Sequence, residues 1–340
     1  MAKHVEENER IKWAYAMYLR DAKGQDPKTI DKALAAIRRF EESTKFKPFK
    51  KFHRMQATAF KEHLAQAKNV HTGKPLGVTT IDSTLRLVQA CFFWLASEQG
   101  YKKAVTYADV EYFNNTMKAA RVAHAKREIP YPSMEQCAHA FQAMPNGTEY
   151  EKRDKALFAF FMLTCARDGA VASLKLKHVN METRQMYQDG REVNTKNAKT
   201  FRCQFFPVDT AYLNCISDWI NFLRTEKMFG PTDALFPKAK IAVVPGQGFQ
   251  NVGLDRVGYA GSAKLNKIIR TAFAKVQMPE FTPHSFRKTL FDYADKTCAN
   301  MTQLKAWSMN LGHENLATSI NSYLPVSEAR QLEIIRGMAE

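Results

Sequence analysis

The sequence predicts a mainly α-helical chain with a small antiparallel β-sheet, arranged as a helical N-terminal domain and a mixed α/β C-terminal domain. Three observations lead there. Apolar residues recur at spacings of three and four through most of the 340 residues, the pattern of amphipathic helices. That period gives way to strand-like alternation around Phe201, Cys203 and Phe205 against Arg202 and Gln204. Between the halves, "RVAHAKREIPYPSMEQ" mixes basic residues with two prolines and then offers Ser133 and Gln136 as a capping box. A linker at 123–132 therefore separates a domain of residues 1–122 from one of residues 133–340.

In the first domain the helical stretches are "IKWAYAMYLRDA", "DKALAAIRRFEEST", "RMQATAFKEHLAQA" and "TTIDSTLRLVQACFFWLASEQG", the last closed by Gly100. Between two of them, "KFKPFKKFHR" at 45–54 alternates five Lys/Arg with three Phe. It reads equally as a solvated loop with its aromatics in the core and as a contact for phosphates. In the second domain "DKALFAFFMLTCARDG" is a buried helix, and "AVASLKLKHV" adds a helical turn or two. "RQMYQDGREVNTKNAKTFRCQFFPV" then predicts a three-stranded sheet, with an Asp-Gly turn at 189–190 and "TKNAK" as a hairpin loop. Helical periodicity resumes in "DTAYLNCISDWINFLRTEK", "AGSAKLNKIIRTAFAKV", "SFRKTLFDYADKT" and "MTQLKAWSMNL". A tail helix at about 327–338 places Leu332, Ile335 and Met338 on one face.

Composition narrows the partner. The formal charge is +16; residues 1–130 hold 24 Lys/Arg and 14 Asp/Glu, a net +10, which leaves +6 for the remainder. Such an excess concentrates polyanions at the surface and speeds their encounter, so nucleic acid is the natural partner. The longest apolar run, "ALFAFFMLTCA" at 156–166, is too short to span a bilayer and stops at Arg167. The N-terminus lacks the apolar stretch of a signal peptide, which points to a cytoplasmic protein and makes Asn146-Gly147-Thr148 an accidental sequon. Six cysteines, at 91, 137, 165, 203, 215 and 298, form no C-x-x-C pair and read as reduced, mostly buried thiols. No zinc cluster, Walker loop or dinucleotide fingerprint occurs, and "GQG" at 246–248 reads as a loop, so neither metal nor cofactor is expected.

Four features carry chemistry: Arg167 after the buried helix, Lys196 in the hairpin, His284 with Arg287 one turn on, and His313 followed by Tyr323. Singly each has a bland reading, such as a helix-end arginine on a carboxylate or a solvent-exposed hairpin lysine. In this order they resemble the tyrosine recombinase, or phage-type integrase, family. "LTCARDGAVASLKLKHV" is similar to its first arginine box, "TPHSFRKTLFDYA" to its H-x-x-R box, and "LGHENLATSINSY" to its closing box. "GKPLGVTTIDSTLRLVQACFFWL" resembles the family's helical core-binding domain, so the likeness covers nearly the whole chain.

The resemblance implies a DNA strand-transferase whose two domains form a C-shaped clamp about the duplex. Tyr323 would attack the scissile phosphate and form a 3′-phosphotyrosyl link, with no water, ATP or metal consumed. Arg167 and Arg287 would clamp the phosphate oxygens, Lys196 would protonate the leaving oxygen with Lys199 as the alternative, and His284 and His313 would bond the phosphate or move protons. It implies site-specific recombination through a Holliday junction, by a homotetramer on two double-stranded DNA core sites, integrating or excising a mobile element. Accessory DNA-bending or directionality factors and a bacterial nucleoid location belong to the same picture. Two alternatives stand beside it: relaxation of supercoils in the manner of a type IB topoisomerase, and a non-catalytic DNA-binding protein of the same fold. The chain departs from the family in carrying Ala170 where many relatives have an acid three residues after the first arginine, with Asp168 nearby out of register. Lys288 follows Arg287 where relatives often have a basic residue or a histidine, and Tyr323 stands ten positions after His313, one more than in many members. Tyr293 is the competing tyrosine, with helical spacing that reads as core.

Overall fold

The computed structural model describes residues 5–70, 72–125, 129–313 and 328–338. The chain divides into two compact units, Met1–Glu128 and Ile129–Glu340. In the first unit the helices are α1 (Glu6–Met17), α2 (Pro27–Ser43), α3 (Arg54–Gln66), α4 (Val78–Ser97), α5 (Tyr107–Val110) and α6 (Met117–His124). Helix α2 begins where Asp26 accepts the Thr29 N–H and Pro27 presets the first helical φ. Its Phe40 packs against the rings of Phe49, Phe52, Phe60, Phe92 and Phe113 at centroid distances of 5.1–6.3 Å. The basic loop is therefore anchored from inside: Phe49 and Phe52 are buried, while Lys45, Lys47, Lys50, Lys51 and Arg54 are exposed. Helix α6 runs to His124, so ordered helix continues into the segment read from sequence as linker.

In the second unit α7 (Met134–Gln142) starts at the Ser133–Gln136 capping box, with Ser133 Oγ accepting the Gln136 N–H at 3.2 Å. Thr148 and Glu151 form a second box at the start of α8 (Glu149–Thr164), so the Thr of the sequon is a helix cap. From Ala156 to Thr164 every residue of α8 is buried, which makes it the axis of this core. A short α9 (Asp168–Val171) follows. Strands β1 (Val179–Asn180), β2 (Gln185–Gln188) and β3 (Phe201–Gln204) form the antiparallel sheet, in that order, with Met186 opposite Cys203.

The connection between β2 and β3, 189–200, opens on the Asp189-Gly190 turn and contains a 3₁₀ turn at Lys196–Ala198. Gly190 is required there, since a Cβ would lie 2.0 Å from the Ala198 carbonyl oxygen. Then come α10 (Thr210–Asn221), β4 (Ala239–Val244), β5 (Gly248–Leu254), α11 (Ala263–Lys275), α12 (Pro283–Thr297), α13 (Met301–Asn310) and α14 (Glu328–Gly337).

The β4–β5 hairpin corrects the expectation of a single small sheet, and "GQG" is its turn. Ile241, Val243 and Phe249 on this ribbon are all exposed, so no alternation of buried and exposed residues marks it in the sequence. Among the described residues, no helix is long and apolar enough to cross a membrane. Leu332 and Ile335 of α14 and Met338 just after it are exposed.

Candidate active site

Three segments meet around Arg287. Thr282 and Pro283 open α12, which puts His284 in its first turn, exposed among buried neighbours, and Arg287 one turn on, facing inward and only 2% exposed. Helix α8 ends at Cys165, whose φ of 48° turns the chain sharply and delivers Arg167 to the start of α9. Helix α13 ends in a Schellman closure. The Gly312 N–H bonds the Met309 carbonyl at 2.8 Å and the His313 N–H reaches the Ser308 carbonyl at 3.2 Å, with Gly312 at φ 78°.

Arg287, on α12, bonds the other two segments. Nη1 donates to the Cys165 carbonyl at 2.5 Å, while Nη2 donates to the Leu311 carbonyl at 2.8 Å and meets His313 Nε2 at 2.9 Å. A guanidinium only donates, so His313 Nε2 is the acceptor and the ring proton is on Nδ1.

The electrostatics place the other groups. His313 is buried, and its pKa falls to about 4 through that burial and through the charges of Arg287, Arg167 and Lys199. Desolvation, Arg287, Lys288 and Arg167 likewise lower His284, against the opposing charge of Asp168. Both imidazoles are therefore neutral near pH 7, held so by the same cations. Lys199 Nζ donates to the Gly312 carbonyl at 2.9 Å, which brings the alternative lysine to the His313 turn. Lys196 is in the 3₁₀ turn of the hairpin loop. Tyr323 lies outside the described residues.

A proton on His313 costs folding free energy, and the sign follows from the depressed pKa. Between about pH 6.5 and 4 the unfolded chain binds a proton that the folded one refuses, so stability falls as pH drops through that window. The His313 share is on the order of 2–3 kcal/mol. Chemical denaturation at about pH 7 and about pH 4.5 is expected to give a smaller pH-dependent loss for His313→Gln than for wild type. Equal losses would exclude His313 as the source.

Sequence reading missed several supports of this site. Asp168, out of register for the family's acid, accepts from the Gly169 N–H at 2.8 Å and from Asn266 Nδ2 of α11 at 2.9 Å. It ties the Arg167 segment to a groove of about 1010 Å³ that also holds Lys267, Arg270, Lys275 and His284. Ala170 is buried. Ser173 Oγ accepts the Asn194 N–H at 2.8 Å, and Glu192 meets Lys177 at 2.7 Å and Lys175 at 3.4 Å, which anchors the base of the lysine hairpin. Thr289 Oγ1 donates to the Pro132 carbonyl at 2.6 Å, fastening the last of the predicted linker to α12. Tyr293 is half-buried beside Trp307, at a centroid distance of 6.1 Å, rather than in the core. None of these pairings has a periodicity or motif that would mark it in one sequence.

Solved structures share this architecture. A dimer of lambda integrase, residues 75–356 of that protein, bound to a COC′ core site aligns with a TM-score of 0.62 at 12% identity, over 92% of this chain and 94% of the other. The Tn1549 transposon integrase in complex with transposon right end DNA aligns at 0.60 and 14% identity, over 97% and 99%. These likenesses define the class of fold. Comparison with curated protein sequences gives no match. Residues 133–330 match the phage integrase family, and the chain belongs to that family: it is a tyrosine recombinase, a site-specific DNA-recombining enzyme.

Proposed function

We propose that the Arg287 cluster is the phosphate-binding centre of a cleavage reaction in which Tyr323 is the nucleophile. The observation that carries this reading is the buried Arg287 guanidinium held between Cys165, Leu311 and His313, with the charges of Arg167 and Lys199 acting on the same imidazole. Such a site is preorganised for the non-bridging oxygens of a phosphodiester, whose negative charge grows in the transition state. Arg167 and Arg287 hold those oxygens, and His313 offers its Nδ1–H as a further donor.

As the Tyr323 Oη–P bond forms, the P–O5′ bond breaks. Lys196 gives its proton to the leaving oxygen, with Lys199 as the alternative donor, and neutral His284 can take the phenol proton. The 5′ hydroxyl reverses the step on a partner strand, so the phosphoryl group is exchanged with no net hydrolysis. Cations along the groove beside His284 fit a DNA backbone.

In this reading the substrates are duplex core sites of a mobile element, four protomers act on two sites, and strands exchange through a Holliday junction. The exposed Leu332 and Ile335 of α14 and Met338 just after it support docking of the tail on another protomer. The test is a core-site duplex drawn from inverted repeats flanking the gene, nicked near the cleavage point so that the short fragment carrying the freed 5′ hydroxyl diffuses away. A covalent protein–DNA complex that survives denaturation, without added metal or nucleotide, is expected. Absence of the complex would favour a binding-only protein, and relaxation of site-free plasmid would favour topoisomerase-like action.

A further inference from the structure

Strand β3 is an edge of its sheet, so one row of its backbone groups faces away from β2. The side chain of Asn310, the last residue of α13, covers that edge. Its Oδ1 accepts the Gln204 N–H at 2.7 Å and its Nδ2 donates to the Gln204 carbonyl at 2.8 Å. Both backbone groups of one residue are met by one carboxamide, as a neighbouring strand would meet them.

Two further contacts bind the same turn to the same strand. Lys199, just before β3, donates to the Gly312 carbonyl, and Gly312 lies so close to Phe201 that a Cβ would come within 2.9 Å of the ring. On its other side the turn accepts Arg287 at the Leu311 carbonyl and at His313 Nε2. Asn310 therefore stands where the phosphate-binding turn is registered against the strand that descends from the Lys196 hairpin.

We propose that Asn310 is a positioning residue for leaving-group protonation: by pairing with the β3 edge it fixes the distance between the phosphate held at Arg287 and His313 and the lysine hairpin. This rests on the site reading above. A general acid must come within hydrogen-bond reach of the leaving 5′ oxygen, and a slip of the turn along β3 moves the phosphate while the lysine stays. Only a carboxamide serves here. A carboxylate keeps the acceptor but turns an oxygen toward the Gln204 carbonyl, and an aliphatic side chain loses both bonds.

The experiment measures adduct formation at saturating DNA on two substrates, one with the natural 5′ bridging oxygen and one with sulfur in its place. A thiolate leaves without protonation, so the sulfur substrate bypasses the general acid. Asn310→Ala is expected to slow the oxygen substrate on the order of 10²-fold, with DNA affinity and melting temperature close to wild type. The sulfur substrate is expected to restore most of the rate, and Asn310→Asp to behave as Asn310→Ala does.

Three results overturn the proposal: an unchanged rate on oxygen, a slow rate that sulfur does not rescue, or cleavage lost in step with DNA affinity and melting temperature. A wild-type chain that forms no adduct sinks the site reading itself. A wild type that cleaves beside an equally fast Asn310→Ala sinks this proposal alone.

Discussion

Tyr323→Phe is expected to abolish covalent adduct formation while leaving DNA affinity and melting temperature at wild-type values. The change removes one hydroxyl and nothing else. Because the proposed reaction carries the phosphoryl group on that oxygen, no binding energy elsewhere can compensate. The +16 surface that attracts the backbone is untouched, so the variant should trap cognate DNA uncut. Gel-resolved adduct on a nicked core site and an affinity titration at one fixed salt concentration check both halves. Residual adduct in Tyr323→Phe would move the nucleophile to another residue. Tyr293 is the first alternative, yet it is half-buried against Trp307, and Tyr293→Phe is expected to cleave normally.

Arg287→Ala is expected to have the next largest effect, a loss of cleavage on the order of 10³-fold or more, the scale of removing a transition-state donor from a dry site. Unlike Tyr323→Phe it should also weaken the fold. The Cys165 carbonyl, the Leu311 carbonyl and His313 Nε2 all lose their donor, and each buried acceptor left unmet costs about 1–3 kcal/mol. Arg287→Lys is expected to recover little, because one ammonium on a flexible stem cannot span three acceptors and a phosphate. A second readout separates chemistry from folding. The Arg287 charge is one of the causes that lower His313, so in a folded Arg287→Ala protein His313 should titrate closer to its ordinary range, as seen by NMR of the ring. A variant that cleaves near the wild-type rate, or whose His313 pKa does not rise, would remove Arg287 from the centre of the site.

The longer helices were legible because they carry their own periodicity and, in several cases, their own caps, whereas the short α5, α6 and α9 were not. Ser133 and Gln136 satisfy local N–H groups whatever surrounds them, and the Asp-Gly pair at 189–190 turns the chain by its own geometry. The site candidates rest on a different signal. Arg167, His284, Arg287 and His313 stand in short boxes whose order resembles a family, and three of those boxes lie within the family match.

The β4–β5 ribbon was not legible. Two-sided exposure erases the contrast that periodicity needs, so a hairpin and a loop read alike there. Nor was the choice for the 45–54 loop, since its Phe residues alternate with Lys whether they are buried or not. The rings clustered on Phe40 decide that Phe49 and Phe52 belong to the core.

The sequence by itself determined a basic, mainly helical chain and put forward the side chains proposed to hold a phosphate, because charge, capping and spacing are properties of neighbours along the chain. Only the tertiary structure decided what those side chains do to one another. Cys165 and Arg287 are 122 positions apart, and Gln204 and Asn310 are 106. A proton location on His313 and a turn registered on a strand edge arise from groups that the fold brings within 3 Å, and the lowered pKa of His313 from its burial and the cations the fold gathers about it. Hydrogen bonding and desolvation act over distances in space, and distance along the sequence does not measure them.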